Sequence, residues 1–110
     1  MVNFETGCWV YLSDIEKISC LQRRIIIHSI LYYELDSSVI PDKQFDEEAR
    51  QLVQLQKKNK KDLNKSEYYY CMKDFDGSTG FDLFGRLKEY DRIYLTHLAK
   101  YILKLYQQKG

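Results

Sequence analysis

The spacing of apolar residues predicts a first helix that begins at Ser13. Ser13 and Glu16 form the sequence signature of a capping box, in which each side chain bonds the other residue's backbone amide. Ile26, Ile27 and Leu31 broaden the apolar surface that follows, so we expect a central helix that is covered on more than one side. One face of this helix carries a residue every three or four positions, namely Ile18, Leu21, Ile25, His28, Tyr32 and Leu35.

A second helix is predicted after the break "DSSVIP". Pro41 disfavours helical geometry at Ile40, and Asp42 can then cap the new helix. Because the break is only six residues long, the two helices are expected to form an antiparallel hairpin. The apolar face of the second helix is expected at Phe45, Ala49, Leu52 and Leu55.

The remaining segments are less uniform. A last helix is predicted from Asp91, and "SEYYYCMKDF" suits either a short helix capped by Ser66 or a strand. "DGSTG" predicts a turn, with a short helix beginning near Thr79 or Gly80. Residues 1–12 show no helical period and are expected to form an extended arm or a short strand. On the last helix, the expected core face is Tyr94, Leu95, Leu98, Tyr101, Ile102 and Leu105, and the polar face is Arg92, Thr96, Lys100 and Lys104.

These patterns together predict one domain of an all-α or mainly α class. A chain of 110 residues with 45% hydrophobic content supports a single core. The expected architecture is a helical hairpin with the long C-terminal helix packed on it. Net charge is +1, so bulk charge favours neither nucleic acid nor a membrane as partner. Cys8, Cys20 and Cys71 lack paired spacing, and no leader or long apolar run is present, so a cytoplasmic protein is expected.

The segment "KDFDGSTGFDLF" at 73–84 contains three partial enzyme motifs. A haloacid dehalogenase motif would need βα units after Asp76, and the remaining residues predict helices. A calcium loop counted from Asp74 would need glycine at Thr79 and an acid at Gly85. A nucleotidyl-transfer motif would need Lys73 one position later. We therefore interpret the segment as a turn that leads into a helix, and expect Asp74 and Asp76 to be dispensable for binding.

Two clusters of surface chemistry remain. The lysine run Lys57, Lys58, Lys60 and Lys61 suits a solvated helix end, and alternatively a phosphate-contacting patch. Tyr68, Tyr69 and Tyr70 are candidate aromatic anchors for a partner. His28, His97 and the three cysteines lack the short spacing of metal ligands, so no metal site is expected.

The stretch "HSILYYELDSSVIPDKQFDEEARQLVQLQ", residues 28–56, resembles the N-terminal Ia module of NAD-dependent bacterial DNA ligases. The resemblance includes the first helix, the break, "IPD" and the "FD" that begins the next helix. It implies a small helical module that holds the nicotinamide mononucleotide half of NAD. The chain also resembles the small single-domain ligase-related proteins of phages and mobile elements.

The resemblance implies five ligand-binding residues. Tyr32 matches a family tyrosine, and Asp42 and Asp46 match two family aspartates. Tyr33 stands where the family usually has histidine, and Phe45 stands where it usually has tyrosine. Aromatic faces suit a cationic nicotinamide ring, and carboxylates suit ribose hydroxyls.

The sequence therefore predicts a small binding module without catalysis that holds nicotinamide mononucleotide, NAD or a protein partner. The other parts of a ligase have no counterpart in this sequence. One alternative is a phage-type, anti-CRISPR-like inhibitor of host defence that binds a bacterial nuclease. Another is a nucleic-acid-binding accessory that uses residues 57–65.

Overall fold

The computed structural model describes residues 13–37, 39–77 and 82–109 of the chain. These residues form five α-helices, together with a π-helical segment at Ile30–Glu34 and a 3-10 turn at Leu63–Lys65. The helices are α1 at Asp14–Ser29, α2 at Asp42–Lys58, α3 at Tyr69–Met72, α4 at Leu83–Arg86 and α5 at Glu89–Lys109. In this described part of the chain, none of the helices combines the length and apolar character needed to cross a bilayer.

The start of α1 confirms the predicted capping box. The backbone amide of Ser13 donates to Glu16 Oε1 at 3.1 Å, and the amide of Glu16 donates to Ser13 Oγ at 3.2 Å. The start of α2 differs from the prediction, because Pro41 is the cap and Asp42 is the first helical residue. Pro41 already has the extended geometry of a cap, with φ −64° and ψ 149°, and a carboxylate is favourable in the first turn.

The predicted fold class is confirmed, since α1 and α2 form an antiparallel hairpin on which α5 packs. Two side-chain contacts show that the helices are antiparallel: Arg24 pairs with Glu48, and Gln22, earlier in α1, bonds Gln56, later in α2. The helix α5 contacts both α1 and the π segment. The predicted N-terminal strand lies outside the described residues.

The described residues form one hydrophobic core between the hairpin, α5 and the irregular segment at 63–77 together with residues 82–87. Large side chains from α1 dominate this core, as the broad apolar stripe predicted. Its largest fully buried apolar side chains are Ile18, Ile25, Ile26, Ile30, Leu31, Leu52, Tyr68, Met72, Leu83 and Leu95.

The core encloses a polar network centred on Gln22, which is fully buried. Gln22 Nε2 donates to Gln56 Oε1 and to Ser66 Oγ, both at 3.0 Å, and Gln22 Oε1 accepts from the Tyr68 backbone amide at 3.0 Å. Gln56 Nε2 donates to the Met72 carbonyl at 3.0 Å. One side chain of α1 therefore fixes both α2 and the irregular segment.

Several expectations for the second half of the chain need correction. The ambiguous stretch contains the helix α3, but Ser66 does not cap it, because its hydroxyl donates to the Leu63 carbonyl at 2.7 Å. The helix predicted from Asp91 begins two residues earlier, at Glu89. On α5, Tyr94, Tyr101 and Leu105 were expected in the core and are exposed instead. The predicted helix start near Thr79 or Gly80 lies outside the described residues.

Replacing Gln22 with leucine is expected to lower the free energy of unfolding by about 2–4 kcal/mol. The substitution keeps the volume similar but leaves buried groups of Gln56, Ser66 and Tyr68 without their partner. Gln54→Leu on the exposed side of α2 is the matched control, and should change stability by no more than about 0.5 kcal/mol. Urea unfolding measures both variants. Equal stabilities for them would show that the network contributes little.

Candidate functional site

A cleft of about 380 Å³ opens where the two arms of the hairpin meet. Its walls come from the end of α1, the π segment, the connection to α2, the first turns of α2, and one residue of the segment after α3. The lining residues are His28, Ser29, Tyr32, Tyr33, Val39, Ile40, Asp42, Phe45, Asp46 and Gly77. All five ligand-binding residues implied by the resemblance therefore lie in one cleft. Its size is within the range of small-ligand sites.

The π segment places two tyrosines at the cleft. In this segment the backbone hydrogen bonds join residues five positions apart, as in the bond from the Leu35 amide to the Ile30 carbonyl at 3.0 Å. Within this segment Ile30 and Leu31 are buried, whereas Tyr32 and Tyr33 are exposed. The two rings meet edge to face, with centroids 4.8 Å apart. The cleft thus has an aromatic wall that solvent and ligand can reach.

The first turns of α2 supply two carboxylates and a third aromatic ring. Asp42 and Asp46 are one helical turn apart, so they lie on the same side of α2. Both side chains are exposed, and neither has an ion-pair or hydrogen-bond partner among the residues that the structure describes. Phe45 between them is half-buried and packs on the core. The cleft therefore combines three aromatic faces with two carboxylates that are available to a ligand.

His28 forms the inner part of the cleft and is uncharged at neutral pH. Burial lowers the pKa of His28 to about 4, the neighbouring Arg24 guanidinium adds to this effect, and Glu48 opposes it. The Arg24–Glu48 pair is bidentate, with distances of 2.6 and 2.9 Å, and Gln44 Nε2 also donates to Glu48. Burial acts to raise the pKa of Glu48, but the hydrogen bonds from Arg24 lower it. The pair links α1 to α2 beside the cleft.

Gly77 approaches α2 at the edge of the cleft. Its φ of +86° lies in the left-handed region, which favours glycine. A Cβ at this position would lie 3.2 Å from Val53 Cγ2. The predicted turn at Gly77 therefore also closes one side of the cleft, although residues 78–81 lie outside the described part.

The lysine run lies away from this cleft. Lys57, Lys58, Lys60 and Lys61 are all exposed, around the C-terminal end of α2. Lys57 and Lys60 line a second, wider depression of about 640 Å³ together with Lys73, Tyr69, Phe75, Asp74 and Asp76. Because two aspartates stand among these three lysines, the depression is mixed in charge.

The expected aromatic anchors at 68–70 do not form an exposed patch. Tyr68 is only 1% exposed, so its assignment as a surface anchor is wrong; its ring fills the core beneath the hairpin. Tyr69 is half-buried, with Lys73 Nζ 6.0 Å from its ring centroid. Tyr70 is also half-buried, and its hydroxyl donates to Asp91 and accepts from the Lys88 amide.

Sequence reasoning missed several cleft residues. It assigns His28 only to a helix face and Gly77 only to a turn, and it does not identify Ser29, Val39 or Ile40 as ligand-binding residues. His28 could have been found from the sequence, because it precedes Tyr32 by four residues, about one helical turn, and such residues lie side by side on a helix. Gly77 could not be found this way, because it is far from α2 in sequence.

The fold and the cleft define a small helical module with an aromatic and acidic site of nucleotide size. Residues 13–64 match the family described as "DNA ligase-like, N-terminal NAD+-binding domain". The resemblance to the ligase Ia module is therefore confirmed over these residues, which make up just under half of the chain and contain nine of the ten cleft residues. No curated protein and no solved structure matches the chain. Residues 13–64 are thus similar to a ligase-related, NAD+-binding family.

The half-buried His28 predicts a pH-dependent stability. Its folded pKa of about 4 lies below the ordinary value of 6.5, so its contribution is complete above about pH 6.5 and is lost as the pH falls toward 4. The loss is expected to reach about 2–3 kcal/mol. Urea unfolding across this pH range measures it.

The variant His28→Gln isolates this effect. It should show a smaller loss of stability between about pH 6.5 and 4 than the parent protein, because the carboxylates titrate in both. His97→Gln removes a histidine from an exposed position of α5 and is the control, measured at low micromolar concentration where the chain is expected to be monomeric. Parallel pH profiles for His28→Gln and the parent protein would contradict the prediction.

The two glycines described by the structure should respond oppositely to alanine. Gly77→Ala is expected to destabilise the protein by about 1–3 kcal/mol, because of its positive φ and the contact with Val53. Gly85 lies in α4, and a Cβ added there would meet no atom within 4 Å, so Gly85→Ala should stabilise the protein by up to about 1 kcal/mol. Thermal unfolding of both variants provides the comparison.

Proposed function

We propose that the cleft binds a nicotinamide nucleotide, nicotinamide mononucleotide or NAD, and that the chain acts as a binding module without catalysis. The observation that carries the proposal is the cleft itself. It joins Tyr32, Tyr33 and Phe45 to Asp42 and Asp46, two carboxylates that no described residue engages, within a segment that matches an NAD+-binding family.

The chemistry of the lining suits the oxidised nicotinamide ring. That ring carries a positive charge, and aromatic faces attract cations by about 0.5–2 kcal/mol. Tyr32 is 54% and Tyr33 38% exposed, so a ring entering the cleft can reach part of each side chain. His28 carries no charge at neutral pH and does not repel the ring.

The two carboxylates suit the ribose. Charge-assisted hydrogen bonds from hydroxyls to carboxylates contribute about 1.5–3 kcal/mol each. Asp42 and Asp46 can accept such bonds without first breaking an ion pair to any residue that the structure describes. Phe45 lacks the hydroxyl of the tyrosine usual in the family, but retains a flat apolar face against which a ring or a ribose can pack.

Titration with nicotinamide mononucleotide, NAD and NADH, followed by thermal shift and calorimetry, tests this function. The oxidised forms should bind saturably, and NADH more weakly, because its reduced ring has no positive charge. Asp42→Asn and Asp46→Asn should each weaken binding about 10- to 100-fold. Glu47→Gln, an exposed neighbour on α2 outside the cleft, is the matched control and should bind as the parent protein does.

Two outcomes would contradict the proposal. One is the absence of any shift or heat at millimolar ligand. The other is binding that both aspartate variants leave unchanged. Absence of catalysis is tested separately, by incubating the protein with NAD and measuring its intact mass; addition of an adenylyl group to any residue would make it an enzyme.

The alternative functions remain predictions. An inhibitor that binds a bacterial nuclease was expected to use exposed tyrosines at 68–70 and the lysine run, and the burial of Tyr68 removes one of these three tyrosines from the surface. A nucleic-acid accessory would use the exposed lysines of residues 57–61, and its binding would fall steeply with salt. No feature of the described residues favours either alternative over the nucleotide.

A further inference from the structure

An apolar stripe follows the solvent-facing side of α5. It consists of Tyr90, Ile93, Tyr94, Tyr101 and Leu105, each between 40% and 78% exposed, with the exposed His97 at its centre. Positions 90, 94, 97, 101 and 105 recur every three or four residues, which places them on one face opposite the buried Leu95 and Ala99. In the described part of the chain, nothing covers this stripe.

The spacing of the stripe is that of a helix-pairing surface. Intervals of three and four residues are those of the contact positions in paired helices. The rings of Tyr90 and Tyr94 already stack, with centroids 6.5 Å apart and planes within 13°. Tyrosine is also enriched in protein interfaces. The stripe from residue 90 to residue 105 spans about 22 Å of helix, long enough for an extended contact.

We propose that a second copy of this chain covers the stripe, with the two α5 helices packed antiparallel about a two-fold axis near His97. In this arrangement Tyr94 faces the partner's Tyr101, and Tyr90 faces the partner's Leu105. Each copy contributes the same surface, as in the commonest class of homodimer.

The charges beside the stripe favour an antiparallel second copy. Glu89 lies at the start of α5, and Lys100 and Lys104 lie on the same flank nearer its end. Antiparallel packing brings Glu89 of one copy to the partner's Lys104, on both sides of the axis. Parallel packing would instead keep Glu89 and the partner's Lys104 about 22 Å apart along the helix axis, so this pair could not form.

The area is sufficient for such a dimer. Fully buried aromatic side chains contribute roughly 150–250 Å² each, so the five stripe residues at their observed exposures present about 500 Å² per copy. Two copies bury about 1,000 Å², which is at the low end for biological interfaces and is expected of a weak, concentration-dependent dimer. The aliphatic stems of the flanking lysines add to this area. The dimer does not depend on nucleotide binding in the cleft.

Sedimentation velocity of the full chain, from low micromolar to near-millimolar concentration, tests the proposal. The parent protein should form a concentration-dependent dimer. Tyr94→Glu and Tyr101→Lys should each weaken dimerisation at least about 10-fold, since each places a charge in the apolar contact. Tyr106→Lys changes an exposed tyrosine of α5 that lies off the stripe, and should leave dimerisation unchanged. Circular dichroism checks that each variant folds.

A mixture of the two stripe variants tests whether the two α5 helices pack antiparallel. Antiparallel packing brings the new glutamate against the new lysine, so an equimolar mixture of Tyr94→Glu and Tyr101→Lys should recover a heterodimer. Failure to recover it would overturn the antiparallel arrangement. A parent protein that stays monomeric at every concentration would show that a second copy does not cover the stripe, and would leave a different protein as the candidate partner. A dimer insensitive to both stripe variants would also overturn the proposal.

Discussion

The arrangement of the helices depends on the buried hydrogen bonds of Gln22. A fully buried amide side chain is unfavourable unless its donors and acceptor are satisfied, and here all of them are used. Its partners lie on α2 and on the segment around Tyr68, which are 34 and 46 residues away in sequence. Apolar contacts alone would tolerate small rotations of α1 against α2, because they have no direction. The hydrogen bonds are directional, so they select one orientation.

The shape of the cleft depends indirectly on this orientation of α1 and α2. With α1 and α2 fixed at Gln22 and Gln56, the Arg24–Glu48 pair holds the hairpin again nearer the cleft. The same network binds the Met72 carbonyl, from which the chain continues to Gly77 at the cleft edge. The walls of the cleft are therefore set by groups that do not themselves line it.

Local signals in the sequence predicted the frame of the molecule well, whereas features that depend on distant contacts could not be predicted in this way. The capping box at Ser13 and the break at Pro41 involve residues within a few positions of each other, so the sequence alone was enough to identify them. The five residues expected at the site share the cleft because the hairpin brings positions 32–33 and 42–46 together through a short connection.

Tyr68, by contrast, belongs to a tyrosine-rich run that is typical of a surface, but its backbone amide bonds the buried Gln22 and its side chain lies in the core. On α5, apolar residues surround much of the helix, so periodicity did not distinguish the face toward α1 from the face toward solvent. The π segment leaves no sequence signal that we recognised, although it turns Tyr32 and Tyr33 toward the cleft.

The position of the carboxylates explains how the cleft can present them without a partner among the described residues. An isolated carboxylate in a core would require a partner, but Asp42 and Asp46 are exposed to water at the start of a helix. The partial positive charge at that end of α2 favours Asp42 in the first turn by about 0.3–1 kcal/mol. The half-buried acid beside the cleft, Glu48, is instead engaged by Arg24 and Gln44. The fold thus satisfies the carboxylate that it buries and leaves open those that a ligand can reach, so a binding site here need not weaken the hairpin that forms it.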